Sequence, residues 1–236
     1  MRTNQPVFDL PLLQAINDWQ CGGDHKQKVR RGAALKALCL TLPPEYRRPP
    51  DLCYRQESHT ERRIWQLIAE NMLPETIAAW STSLDVVEAF KGGVPPPDQR
   101  GIIFALSPEP HEVVVNLATL YADPRFLAAI AAHQSSIRRF HSGIGTYGNT
   151  QLEIVLDLGT LDRASILSYG GYAGSLEQLI AEFEIQHGFA PPPDRLPELQ
   201  SLVGQPNWLS PAGTRNVVER TIGKASARPW WPANRP

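Results

Sequence analysis

The 236-residue sequence has little that would commit it to a membrane, a disulfide scaffold or a metal cluster. No apolar run approaches the roughly eighteen residues that mark a transmembrane helix. There are three cysteines, Cys21, Cys39 and Cys53. Their number is odd and no pair has CxxC spacing, so they read as buried or half-buried free thiols in a reducing compartment. The six histidines are scattered and lack ligand spacing, so no metal is expected. The formal net charge of −1 argues against a coat-like nucleic-acid binder. Met1–Pro6 lead into an amphipathic stretch and not into an apolar h-region, so no secretory signal is expected. The expected location is the cytoplasm, or a target cell reached by another route, with no membrane partner.

What is present is an ordinary globular composition, 42% hydrophobic and 20% charged. The 22 prolines and 17 glycines imply many stiff, irregular connections. The near-zero net charge conceals a distribution. Residues 1–66 carry eleven basic side chains against seven acids, and residues 211–236 carry five against Glu219 alone. The stretch between them holds the compensating acids. Basic ends around an acidic middle would suit a polyanion, and solvated faces are the commoner use of such charges.

The periodicity predicts helices over 8–19, 26–40 and 59–71, the last burying Ile64, Trp65, Leu67 and Ile68. Leu10, Leu13, Ile16 and Trp19 line one face of the first helix. Short strands are expected at 51–55 and 78–83, with a helix at 84–91 stopped by Gly92-Gly93. Pro95–Pro97 make a stiff loop. Apolar runs predict strands at 101–106, 112–117 and 152–156, with a helix over 124–140. Gly143, Gly145 and Gly148 suggest a flexible loop, 161–169 a strand and 175–187 a helix. Pro191–Pro193 open an irregular tail that ends in Trp230-Trp231. Helices first and strands later point to an α+β fold.

Three segments carry chemistry. Arg55 ends a strand in Leu52-Cys53-Tyr54-Arg55. Ser81-Thr82-Ser83 precedes a short helix, and a helix cap is the simplest use of such hydroxyls. Gln151-Leu152-Glu153 enters a later strand, where alternation would set the amide and the carboxylate on one side. Singly, each is commonplace.

In this order, the three resemble the R-S-E branch of ADP-ribosyltransferases, which includes the C3-like exoenzymes and the pierisin-like enzymes. The flanks QLEIVLDLGT and IIFALSPEPHEVVVNL and the lead-in before Arg55 resemble that family over roughly residues 10–170. The resemblance implies an α+β fold of two packed, mainly antiparallel sheets around an NAD cleft, with N-terminal helices. It places an ADP-ribosyltransferase domain at 1–190 and a proline-rich extension at 191–236, which packs on it or binds a partner.

The implied activity is NAD-dependent mono-ADP-ribosyl transfer to a macromolecule, protein favoured, in a bacterial or phage toxin or effector that an antitoxin or immunity protein neutralises. Glu153 would stabilise the ribosyl cation and Ser81 would orient it. Arg55 would take an NAD phosphate. Thr82 and Ser83 would edge the pocket, with Phe90 against the nicotinamide or in the core. Gln151 and Tyr147 would meet the acceptor. An amide cannot act as a base, so Gln151 argues against an arginine acceptor and leaves an amide or a nucleobase. Gln56 stands where the family often has glycine, and Tyr147 lies further from Gln151 than the family's aromatic does. Lys91 and Arg100 read as solvated charges of a surface turn. The tail, with Arg228 and Arg235 beside the tryptophans, would suit RNA or DNA. NAD glycohydrolysis and a non-catalytic binding module are the other readings.

Overall fold

A computed structural model describes residues 7–90, 99–170, 180–181, 184 and 188–197. The fold is α+β. Six described strands hydrogen-bond in one open sheet, ordered β4-β5-β2-β1-β3-β6, and every pairing with a described register is antiparallel. They are β1 (Cys53–His59), β2 (Ile77–Ser81), β3 (Arg100–Leu106), β4 (Val113–Asn116), β5 (Glu153–Asp157) and β6 (Ser165–Gly170). The expectation of two packed sheets is therefore corrected for the described residues. β1 is longer than expected and is flanked by β2 and β3, so the ladder runs on through it.

The chain divides into two compact units. The first comprises Met1–Arg55, Met72–Val86 and Leu106–Arg163. It opens with α1 (Leu10–Gln20) and α2 (His25–Cys39). The Asp9 carboxylate accepts from the Leu12 amide at 3.0 Å, so α1 begins there, and Asp24 and Gln27 cap each other's backbone to begin α2. Phe8, Leu12, Leu13 and Ile16 bury against Leu35, Val115, Leu120, Phe126 and Val155 in one core. β5 lies between β2 and β4, and its first four residues are all buried. A central strand covered on both faces reads as a continuous apolar run, as Ile154-Val155-Leu156 does.

Four short helices complete this unit: α4 (Leu84–Glu88, the last two residues falling in the second unit), α5 (Leu117–Tyr121), α6 (Pro124–His133) and α7 (Ile144–Tyr147). The expected helix over 124–140 is cut at His133. Tight 3-10 turns follow at Gln134–Ser136 and Phe140–Ser142, with Arg139 between them in the left-handed region at φ 58°. The expected flexible glycine loop is also corrected, because it contains α7. A Cβ on Gly143 would stand 2.4 Å from the Asn17 carbonyl oxygen, so this glycine serves a close approach of α7 to α1. β4 stops at Asn116, whose side chain accepts from the Thr119 amide and starts α5.

The second unit holds the rest of β1, α3 (Glu61–Glu70), most of β3, and β6. β3 and β6 pair from Gly101↔Gly170 to Ala105↔Ser165, with an irregularity at Ile103/Phe104. Thr60 caps the start of α3, which buries Ile64 and Leu67 and leaves Trp65 and Ile68 half-buried. Pro95–Pro97, Lys91, most of the helix expected at 175–187 and the Trp230-Trp231 tail lie outside the described residues. No described helix is long and apolar enough to cross a membrane.

Candidate functional site

The end of β2 and the approach to β5 are joined by the hydroxyls of Ser81 and Thr82. Ser81 faces Glu153 directly in the β2–β5 register. Its Oγ donates to the Gln151 carbonyl at 2.8 Å and accepts from the Ser83 amide at 3.1 Å. Thr82 donates to the Leu152 carbonyl twice, from its amide at 3.0 Å and its hydroxyl at 3.3 Å. Leu152 adopts φ 45°, a conformation a branched residue holds only when its surroundings impose it. Ser81 and Thr82 supply that constraint. Ser83 Oγ also accepts from the Val86 amide at 3.4 Å, the cap expected for α4.

The clamped turn delivers Glu153 into the interior, where it is 4% exposed. The indole Nε1 of Trp19 donates to its Oε1 at 2.5 Å. Gln20, the last residue of α1, also bonds the carboxylate. The same Gln20 amide donates to the Gly148 carbonyl at 2.9 Å, and its oxygen accepts from the Tyr121 hydroxyl at 2.9 Å. Burial pushes the Glu153 pKa up to about 7, although Trp19, the Arg55 charge and Gln20 each pull it down. Burial and then the neighbouring Glu153 charge push the Tyr121 phenol up. Arg55 is half-buried, and its Nη1 donates to the Ala79 carbonyl at 2.5 Å.

Arg55, Ser81 and Glu153, distant in sequence, thus stand on three successive strands, β1, β2 and β5. Two expectations are corrected here. Ser81 holds the backbone before Glu153, not its carboxylate. Gln151 lies in a turn and not in the strand, so alternation does not align it with Glu153. Its side-chain amide makes no hydrogen bond to a described residue. Tyr147 ends α7, 37% exposed, and its carbonyl accepts from the amide and hydroxyl of Thr150. Phe90 is 41% exposed and falls in the second unit.

Trp19 is the residue that periodicity undervalues. It reads as one more apolar position on α1, yet a tucked-in indole needs an acceptor for its N–H, and here the acceptor is Glu153. Gln20 and Tyr121 gave no signal in sequence. Cys39 and Cys53 are buried with thiols pushed up to about 12 by desolvation, so they are poor nucleophiles. Among the described residues no group of three His, Cys, Asp or Glu could hold a metal ion. Comparison with protein-family models, curated proteins and solved structures finds no match.

Proposed function

We propose that the chain is an NAD-dependent mono-ADP-ribosyltransferase with Glu153 as its catalytic carboxylate, acting on a macromolecule as a toxin or effector. One observation carries the reading: a guanidinium, a hydroxyl cluster and a buried carboxylate of near-neutral pKa gather on β1, β2 and β5. The donor set suits NAD in kind. Arg55 offers a fork to a phosphate, and Glu153 offers a charge to the cation that develops at the ribose. When the C1′–N bond of NAD breaks, its electron pair passes to the ring nitrogen and nicotinamide leaves neutral. The acceptor then bonds C1′ and sheds its proton.

Within the protein, the carboxylate must be ionised and uncovered. Trp19 holds Oε1 and Gln20 also bonds the carboxylate, so a shift of α1's last turn, which carries both, would free it for the ribose. Arg55 would exchange the Ala79 carbonyl for phosphate. Gln151, in the turn before Glu153, would hold the acceptor by hydrogen bonds and leave proton removal to another group.

The test is incubation with NAD labelled in its adenylate and with a cell lysate, followed by protease or nuclease. Transfer of label that Glu153→Ala abolishes is the expected result, and label lost to protease marks a protein acceptor. Nicotinamide release without any acceptor would identify a glycohydrolase. Equal NAD turnover by wild type and Glu153→Ala would overturn the assignment.

A further inference from the structure

Residues 124–152 contain no aspartate or glutamate, yet they hold Arg125, Arg138, Arg139, His133 and His141. Arg125 is committed to Asp123 and Tyr46. Arg138 and Arg139 are exposed, and their guanidinium groups make no hydrogen bond or ion pair to a described residue. Arg139 lines a surface groove of about 590 Å³, together with Gln134, Ser135, Phe140, His141 and Ser142, and Arg138 precedes it in the chain.

The backbone here is built, not loose. Arg139 is a non-glycine residue at φ 58°, ψ 31°. A conformation of that kind costs free energy and persists only where neighbours over-determine it. α1 provides those neighbours. The side-chain Oε1 of Gln14 accepts from the Arg138 amide at 2.8 Å, and the side-chain amide of the fully buried Asn17 donates to the Arg138 carbonyl at 2.9 Å. Asn17 also accepts from the Ile144 amide at 3.0 Å. One acid on this helix, Asp18, is itself held by Gln14 at 2.9 Å. Phe140 is half-buried, edge-on to His141, and its ring lies so close to Gly145 that a Cβ there would approach within 2.8 Å.

We propose that this groove binds the phosphodiester backbone of a single-stranded nucleic acid, with Arg138 and Arg139 supplying the charge and Phe140 a platform for a base. Guanidinium forks match phosphate oxygens, and an aromatic ring beside them favours a strand whose bases are unstacked. The serine hydroxyls and the Gln134 amide add neutral hydrogen bonds for phosphate or base. The site does not depend on the chemistry assigned to Glu153.

Fluorescence anisotropy with a short single-stranded oligonucleotide tests it, with AMP and an acidic peptide of equal charge as competitors. The oligonucleotide should bind at low salt and weaken as salt rises. Arg138→Ala with Arg139→Gly should lower the affinity at least about tenfold and reduce the salt slope by about one to two. Glycine accepts the left-handed conformation, so this variant keeps its fold and a thermal melt verifies that. Arg139→Lys, which keeps the charge and loses the fork, should bind between the wild type and the double variant. Glu153→Gln should bind as the wild type does, which separates failure at Glu153 from failure here. The proposal is overturned if the wild type does not bind the oligonucleotide, if AMP or the peptide competes equally well, or if the double variant binds unchanged.

Discussion

The catalytic role proposed for Glu153 and its effect on stability pull in opposite directions. Its folded-state pKa of about 7 lies above the ordinary 4.5, so the native state holds a proton that the unfolded state releases sooner. The stabilisation is complete below about pH 4.5 and is lost as pH rises through about 7, on the order of 3 kcal/mol in all. Glu153→Gln should remove that slope. Urea unfolding at pH 5 and pH 8 would show the wild type losing more stability than the variant between them. The proposed reaction needs the ionised form, so NAD turnover should rise with pH through about 7 while stability falls. Trp19→Phe keeps the ring but removes the N–H that favours the carboxylate. The Glu153 pKa should then rise further, and the pH–rate midpoint should move to more alkaline values in a nicotinamide-release assay. An unmoved midpoint would mean that the indole has no hold on the acid.

Among the elements, β2, β5 and the first three helices could be read from the sequence because each carries a local signal. Ile154-Val155-Leu156 is an unbroken apolar run, and α1 repeats its apolar face at three-residue steps. The turns between elements could not be read. Gly143, Gly145 and Gly148 look like a loop because glycine disfavours helix, whereas the first two are small so that Asn17 and Phe140 can approach. Gly143→Ala should overpack that contact and cost about 1–3 kcal/mol in a denaturant titration. Leu152 at φ 45° broke the alternation that would have aligned Gln151 with Glu153. Removing both Ser81 and Thr82 hydroxyls, as Ser81→Ala with Thr82→Val, should release this turn. Nicotinamide release should drop at least about tenfold while overall stability falls by about 1–3 kcal/mol. Unchanged turnover would show that the hydroxyl clamp serves stability alone.

At the scale of the whole molecule, the order of helices before strands pointed to α+β, and the one-sheet strand order lay beyond its reach. Strand order is set by contacts between distant segments, which no local window contains. The same holds for the Glu153 cluster: Arg55, Ser81 and Glu153 could be named from their motifs, while Trp19, Gln20 and Tyr121 join them only through the packing of α1 and α5. Deleting residues 1–23 should therefore do more than trim an end. It removes Leu12, Leu13 and Ile16 from the core, and the first unit should lose its cooperative thermal transition. The bond from Trp19 to Glu153 closes a separation of 134 residues, and Asn17 reaches Arg138 across 121. Contacts of that span form late. During synthesis at about 5–20 residues per second, α1 waits on the order of ten seconds for its partners to leave the ribosome. A nascent chain therefore carries its glutamate-binding helix long before its glutamate, and the proposed activity is withheld until synthesis has passed β5.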